Sequence, residues 1–187
     1  LFLVAIIMLT AMFGLGLTFQ ITQTSIPKLL DLRIENITTY KIGVVVALIY
    51  GMSGLMSLIG GLLADKFSLK KIYVIGILGQ VPCLFLVASF TGIPLIVFCL
   101  IAVLFNSSIL PTENILLAKF TPEKHHGLIY GVKFIVAFGT GPIAVYLIAK
   151  VYEYTAEFSA LFLFSSLIML CIAIFALFLP VKKQQLV

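Results

Sequence analysis

Two oppositely charged residues lie inside apolar segments of this sequence, where an isolated charge is costly. Glu113 is six residues before Lys119, and Lys133 is six residues after Gly127. At the rise of an α-helix, both residues lie about 9 Å from the same membrane face, so their side chains can pair. The pair has two interpretations: an ion pair that locks two helices together, or a carboxylate whose lysine partner is exchanged for a proton or an anionic solute.

A second group of polar side chains could line a path for a solute. Gln20, Gln23 and Thr24 lie at the end of the first apolar segment, and Asn114 follows Glu113. Helical spacing places Gln20 and Thr24 on neighbouring turns of one side of a helix. For the residues of the first segment, the favoured interpretation is a helix end in the lipid headgroup region, because such residues are common there. The alternative is an amide and hydroxyl patch that faces the solute.

Several other chemistries are not expected from this sequence. Ser53, which lies between glycines within an apolar segment, would need a histidine at matching depth to act as a nucleophile. His125 and His126, the only histidines, lie in a polar turn instead. Neither the histidines nor the three cysteines have the spacing of a metal site, and the basic residues are dispersed rather than gathered on one face. We therefore predict no enzyme activity, no metal, no cofactor and no nucleic-acid partner.

The composition identifies an integral membrane protein. Hydrophobic residues make up 62% of the chain and charged residues 10%, with a mean hydropathy of +1.24. Six apolar segments, each long enough to span a bilayer, occupy nearly the whole sequence. They cover residues 1–26, 42–64, 72–90, 95–119, 127–149 and 157–180. We predict one all-α six-span bundle over residues 1–187, and we expect a fragment because the sequence begins within an apolar segment without an initiator methionine.

Small residues in the second and fifth segments predict close packing or bending. Gly51 and Gly54 belong to a stripe of small residues that lets helix backbones approach each other. Gly139, Gly141 and Pro142 interrupt the fifth segment. A packed kink is the favoured interpretation there, and a hinge or an unwound binding segment is the alternative.

A short internal repeat relates the two halves of the chain. The tetrapeptide Leu-Ile-Tyr-Gly occurs at residues 48–51 in the second segment and again at residues 128–131 in the fifth. Two three-helix repeats of opposite orientation would pair these segments, because three crossings invert the second copy. We therefore predict a 3+3 inverted repeat.

The distribution of basic residues predicts the orientation in the membrane. Seven of the twelve Lys and Arg residues lie on the side of the turn that joins the second and third segments, and four lie opposite. Because cytoplasmic loops carry an excess of Lys and Arg, this turn and the C-terminus are predicted to be cytoplasmic.

The same turn resembles a known loop signature. Gly61, Asp65, Lys66, Lys70 and Lys71 follow the pattern of the loop between the second and third helices of each half of major facilitator superfamily transporters. Ser68 and Leu69 depart from that pattern, at positions where the family usually has Gly and often has Arg, and such departures are more typical of the C-terminal half.

This resemblance implies the C-terminal six-helix half of a twelve-helix transporter, with an N-terminal half as its partner. It also implies that Asp65 and Lys66 act in a gate between the halves, and that a small solute binds between them against the first, second, fourth and fifth helices. The implied function is secondary active transport across the cytoplasmic membrane by alternating access, with proton coupling. The alternative is another six-span membrane protein, either a half that dimerises with itself or an intramembrane protease.

Overall fold

Six long α-helices form a single bundle in a computed structural model of the chain, which describes residues 2–180. The helices are α1 (Phe2–Arg33), α2 (Thr39–Lys66), α3 (Leu69–Ser89), α4 (Gly92–Phe120), α5 (His126–Thr155) and α6 (Ser159–Leu177). Each is long and apolar enough to cross a membrane, and the described residues contain no strand. The predicted all-α six-span fold is confirmed. Lys182 and Lys183, which contribute to the predicted orientation, lie outside the described residues.

The first helix is longer than the sequence predicts. α1 continues through Pro27 to Arg33, although a loop is expected from Lys28 onward. Leu29 and Leu30 are completely buried in the bundle. Burial of these two side chains favours the helix by more than the hydrogen bond that the proline removes, so packing overrides the local signal.

The contacts between helices follow the predicted repeat. α1 packs along α5, α2 packs along α4, and α3 packs against both α4 and α6. Exchanging the first three helices for the last three converts the α1–α5 contact into the α4–α2 contact and leaves the α3–α6 contact in place. The bundle is therefore a 3+3 inverted repeat. Few residues of α2 and α5 are buried, so these helices present apolar faces outward.

Gly60 marks a close approach of α2 to α4. A Cβ atom added to Gly60 would lie 2.3 Å from the carbonyl oxygen of Ser108 and 2.8 Å from its Cα atom. At the neighbouring Gly61, the nearest atom would be 3.9 Å away, and at Gly51 and Gly54 no atom of another helix lies within 4 Å. Gly51 and Gly54 thus contact no other helix of the described bundle, and their predicted role in helix packing stays a prediction. The inner face of α2 is the one that carries Gly60.

Arg33, at the end of α1, joins three helix ends. Its Nε donates to Glu157 Oε1 at 2.7 Å, and its Nη1 and Nη2 donate to the carbonyl oxygens of Val87 and Ala88 at 2.7 and 3.1 Å. The carboxylate of Glu157 also accepts a hydrogen bond from the backbone N–H of Ser159 at 3.1 Å. The Arg33 guanidinium thus satisfies carbonyl groups at the end of α3, and the Glu157 carboxylate caps the start of α6.

The charge of Glu157 depends on these contacts. Hydrogen bonds from Arg33 lower the pKa of Glu157 from 4.5 to about 2, although partial burial acts in the opposite direction. Because this pKa is lower in the folded state, the carboxylate stabilises the fold above its ordinary pKa. That stabilisation is lost as the pH falls toward about 2.

We predict that Gly60→Ala destabilises the bundle, whereas Gly54→Ala does not. The added methyl group at residue 60 meets backbone atoms of α4, which cannot rotate away, and such overpacking costs about 1–3 kcal/mol. Residue 54 has open space around it. The measurement is the melting temperature of each purified variant in detergent. Equal effects of the two substitutions would contradict the packing described here.

We also predict that Glu157→Gln lowers the melting temperature by several degrees at pH 7. The difference from the wild type should persist at pH 4 and shrink toward pH 2, because the native carboxylate becomes protonated only there. Glu153→Gln is the matched control: Glu153 lies 3.5 Å from Lys150 in an exposed pair, and such pairs contribute little. A pH-independent difference between Glu157→Gln and the wild type would count against this account.

Candidate functional site

A cavity of about 320 Å³ lies among α1, α4 and α5, and it contains the two membrane-embedded charges. Its polar lining comes from Gln20, Asn106, Glu113, Asn114 and Lys133. The rest of the lining is apolar and includes three phenylalanines. This volume and this mixture of apolar walls with a few polar groups are typical of small-molecule sites.

Glu113 and Lys133 form the predicted pair. The Nζ atom of Lys133 lies 2.7 Å from Oε1 of Glu113, and the two residues are 8% and 3% exposed. Lys133 also donates to the side-chain oxygen Oδ1 of Asn114. The backbone carbonyl oxygen of Asn114 accepts a hydrogen bond from the Tyr130 hydroxyl at 3.0 Å. The ammonium therefore has one charged and one neutral partner, which offset the hydration it loses on burial.

The short connection between α4 and α5 brings these residues together. A 3₁₀ turn, Glu123–His125, reverses the chain, and α5 begins directly after it. The Nε2 atom of His126 lies 3.2 Å from the carbonyl oxygen of Ala118 and 3.0 Å from that of Thr121. The first turn of α5 is thereby held against the end of α4, so Glu113 and Lys133 face each other at the same depth.

This arrangement brings a carboxylate, an ammonium and an amide together in the wall of one cavity. A small molecule in the cavity would therefore meet both charged and neutral hydrogen-bonding groups. Among the described residues, no group of His, Cys, Asp or Glu side chains could hold a metal ion.

The structure separates the predicted pathway residues into two groups. Gln20 and Asn114 line the cavity, as expected for residues that face a solute. Gln23 and Thr24 are exposed on α1 and do not line it. The rotation of α1 about its axis decides this difference, and the residue spacing alone does not reveal that rotation.

Other polar groups on α1 are buried and were not singled out from the sequence. Thr18, Thr22 and Ser25 are each at most 6% exposed, and the Thr22 hydroxyl donates to the carbonyl oxygen of Thr18 at 2.7 Å. Their spacing of four and three residues places them on one helix face and could have indicated a buried polar stripe. The amides of Gln80 and Asn106 are buried as well. Gln80 is a single polar residue within an apolar segment, whereas Asn106 begins the polar run Asn106-Ser107-Ser108, which could have indicated a buried polar site.

The fifth helix is not interrupted. α5 runs from His126 to Thr155 through Gly139, Gly141 and Pro142, so the alternative of an unwound binding segment is wrong. The contact of α1 along this region keeps the segment helical: Thr140 is completely buried, and a Cβ atom at Gly141 would lie 3.2 Å from Nε2 of Gln20. Gly139 has no neighbour within 4 Å among the described atoms.

None of the residues of the loop signature lines the cavity. Asp65 and Lys66 end α2, and both are exposed, as is Lys71 near the start of α3. Lys70 donates from Nζ to the carbonyl oxygen of Leu177 at 2.6 Å. It thus caps the C-terminal end of α6, where a cation is favoured by the helix dipole.

Comparisons with known proteins agree with this architecture. No curated protein matches the chain. Among solved structures, the E. coli fucose:proton symporter FucP is similar at a TM-score of 0.80 and 18% identity, over 92% of this chain and 42% of that one. FucP in the outward conformation has the same TM-score and identity, with 41% of its chain covered.

The chain thus spans about two fifths of the length of these structures, as one six-helix half of such a fold. A sequence profile of the Major Facilitator Superfamily matches residues 1–186. Family and fold indicate a transporter rather than an enzyme. The chain therefore belongs to the Major Facilitator Superfamily.

Proposed function

We propose that this chain is the C-terminal half of a secondary transporter that moves a small solute across the cytoplasmic membrane by alternating access. The observation that carries the proposal is the Glu113–Lys133 pair, which is buried in the wall of a cavity large enough for a small molecule. Ionisable residues within a membrane are costly, and they usually mark a path for a solute or a proton. Membership of the family supports transport as the purpose of that path.

The position of the cavity supports a site shared between two halves. All its lining residues belong to α1, α4 and α5, and none belongs to α2, although the resemblance implied a contribution from the second helix. Phe134 and Phe138 line it with rings 5.9 Å apart and nearly parallel, and both side chains are largely exposed. A second six-helix half packed over α5 would cover these rings and close the cavity.

We propose that transport is coupled to protons through Glu113. In one state, the carboxylate is ionised and paired with Lys133. In the other state, Glu113 holds a proton, the ion pair is broken, and Lys133 keeps Asn114 while it contacts the solute. The solved structure of a fucose:proton symporter with the same fold supports coupling to protons as the mode of energy supply.

The signature loop is the proposed gate. Asp65 and Lys66 are exposed and have no polar partner among the described residues, so both are available to the N-terminal half. The carboxylate of Asp65 would meet a helix N-terminus in that half, where anions are favoured. The excess of basic residues on this side supports a cytoplasmic location of the loop and the C-terminus.

We predict that Glu113→Gln abolishes proton-coupled uptake while the protein still inserts into the membrane. The full-length protein is reconstituted into vesicles that contain a pH-sensitive dye, and a panel of solutes is applied under an inward proton gradient. The panel holds neutral monosaccharides, with fucose as the first probe, amino acids, and carboxylates without hydroxyl groups. Acidification of the vesicle interior that accompanies uptake is the readout.

Two further variants make this experiment decisive. Glu113→Gln/Lys133→Met removes both charges, so it tests coupling without leaving a buried lysine unpaired. Glu153→Gln, which alters an exposed carboxylate, should transport like the wild type. Unchanged proton-coupled uptake in the charge-free double variant would refute the role of Glu113, and a wild type that moves no solute of the panel would refute the proposed function.

A further inference from the structure

A buried pair of amides lies behind the wall of the cavity. Nδ2 of Asn106 on α4 donates to Oε1 of Gln80 on α3 at 3.2 Å. The two residues are 7% and 1% exposed. Asn106 also lines the solute cavity, whereas Gln80 does not, so Gln80 contacts the cavity only through Asn106.

Gln80 also lines a second, small cavity. This cavity has a volume of about 10 Å³, is shared with Thr22 and Asn106, and has room for one water molecule. Because Oε1 of Gln80 accepts from Asn106, the buried Nε2 is left as a donor without a partner among the described residues. A water molecule in this cavity can accept from Nε2 and donate to the Thr22 hydroxyl, whose own proton goes to the carbonyl oxygen of Thr18.

The orientation of Gln80 in turn determines that of Asn106. Because Oε1 of Gln80 can only accept, Asn106 must turn Nδ2 toward it. The planar amide then directs Oδ1 away from Gln80. That oxygen makes no hydrogen bond to a described residue, and it is not enclosed by protein atoms. Because Asn106 lines the solute cavity, this oxygen is the hydrogen-bonding atom that it has left for a solute there.

We propose that Gln80 is a positioning residue that holds Asn106 as a hydrogen-bond acceptor for the transported solute. This inference rests on the proposed transport function and specifies its substrate class. The solute carries a hydroxyl or amine hydrogen at the point that faces Asn106. The rest of the lining is apolar apart from Gln20, Asn114 and the Glu113–Lys133 pair, which has no net charge in the paired state.

The expected effect is on binding rather than on turnover. Without Gln80, the Asn106 amide can rotate and offer either its oxygen or its nitrogen to the solute. Loss of one oriented hydrogen bond corresponds to about a tenfold change in affinity. Gln80→Met keeps the volume of the side chain and removes its acceptor, so we expect KM to rise about tenfold while the maximal rate is unchanged.

The test measures uptake kinetics of the full-length protein in vesicles, with radiolabelled fucose as the first probe. If fucose is not taken up, the hydroxylated or amine-bearing member of the panel that is taken up serves in its place. Ser166→Ala is the matched control. The Ser166 hydroxyl donates to the carbonyl oxygen of Val81 on α3 at 2.9 Å, so this variant also removes a hydrogen bond of α3 but lies away from the solute cavity. Its KM should equal that of the wild type.

A double-mutant cycle separates positioning from a general loss of stability. If Gln80 acts through Asn106, then Asn106→Leu and Gln80→Met/Asn106→Leu should have the same KM. The proposal would be overturned if the effects of Gln80→Met and Asn106→Leu on KM multiplied in the double variant. It would also be overturned if Gln80→Met reduced the protein yield but left KM unchanged. If Gln80→Met does not fold, an unchanged KM in Asn106→Leu overturns it instead.

The two proposals fail in different ways. Proton-coupled uptake only of carboxylates that carry no hydroxyl or amine hydrogen would leave the transport function standing and overturn the role of Asn106. The absence of uptake for the whole panel would overturn the transport function, and this inference with it.

Discussion

A charge in the apolar interior of a membrane must have a partner close enough to replace its lost hydration, and this constraint organises the bundle. Glu113 and Lys133 meet it with a contact of 2.7 Å between α4 and α5. The same contact that joins the two helices also lies in the wall of the cavity. The packing of α4 against α5 and the proposed coupling therefore depend on one pair.

The rest of the bundle divides into a tightly joined part and an open part. Arg33 connects the ends of α1, α3 and α6 on one side of the membrane, and Lys70 connects α3 to α6 on the other. α2 and α5 bury few residues, and α5 contributes the exposed rings at the cavity. This division agrees with the proposed transporter half, in which the joined helices would keep their shape and the open helices would contact the other half.

The buried amides and hydroxyls show how an apolar scaffold can set the direction of a single polar group. A hydroxyl that donates to its own helix leaves only lone pairs for its neighbours, as Thr22 does. Between the two amides, Oε1 of Gln80 can only accept, so Asn106 turns Nδ2 toward it. In an interior without bulk water, an amide turned the wrong way would leave a donor or an acceptor unsatisfied, which is costly.

The sequence by itself determined the number of helices, the charge pair and the repeat, because these depend on apolar length, on residue depth and on periodicity, which are local properties. Only the tertiary structure decided which faces are buried. It showed that α4 packs closely against Gly60 and not against Gly51 or Gly54. It also showed that Gln20 lines the cavity and Gln23 does not. It also showed that α1 continues past Pro27. The rotation of each helix about its axis depends on its neighbours through contacts between residues distant in sequence, and no local pattern records it.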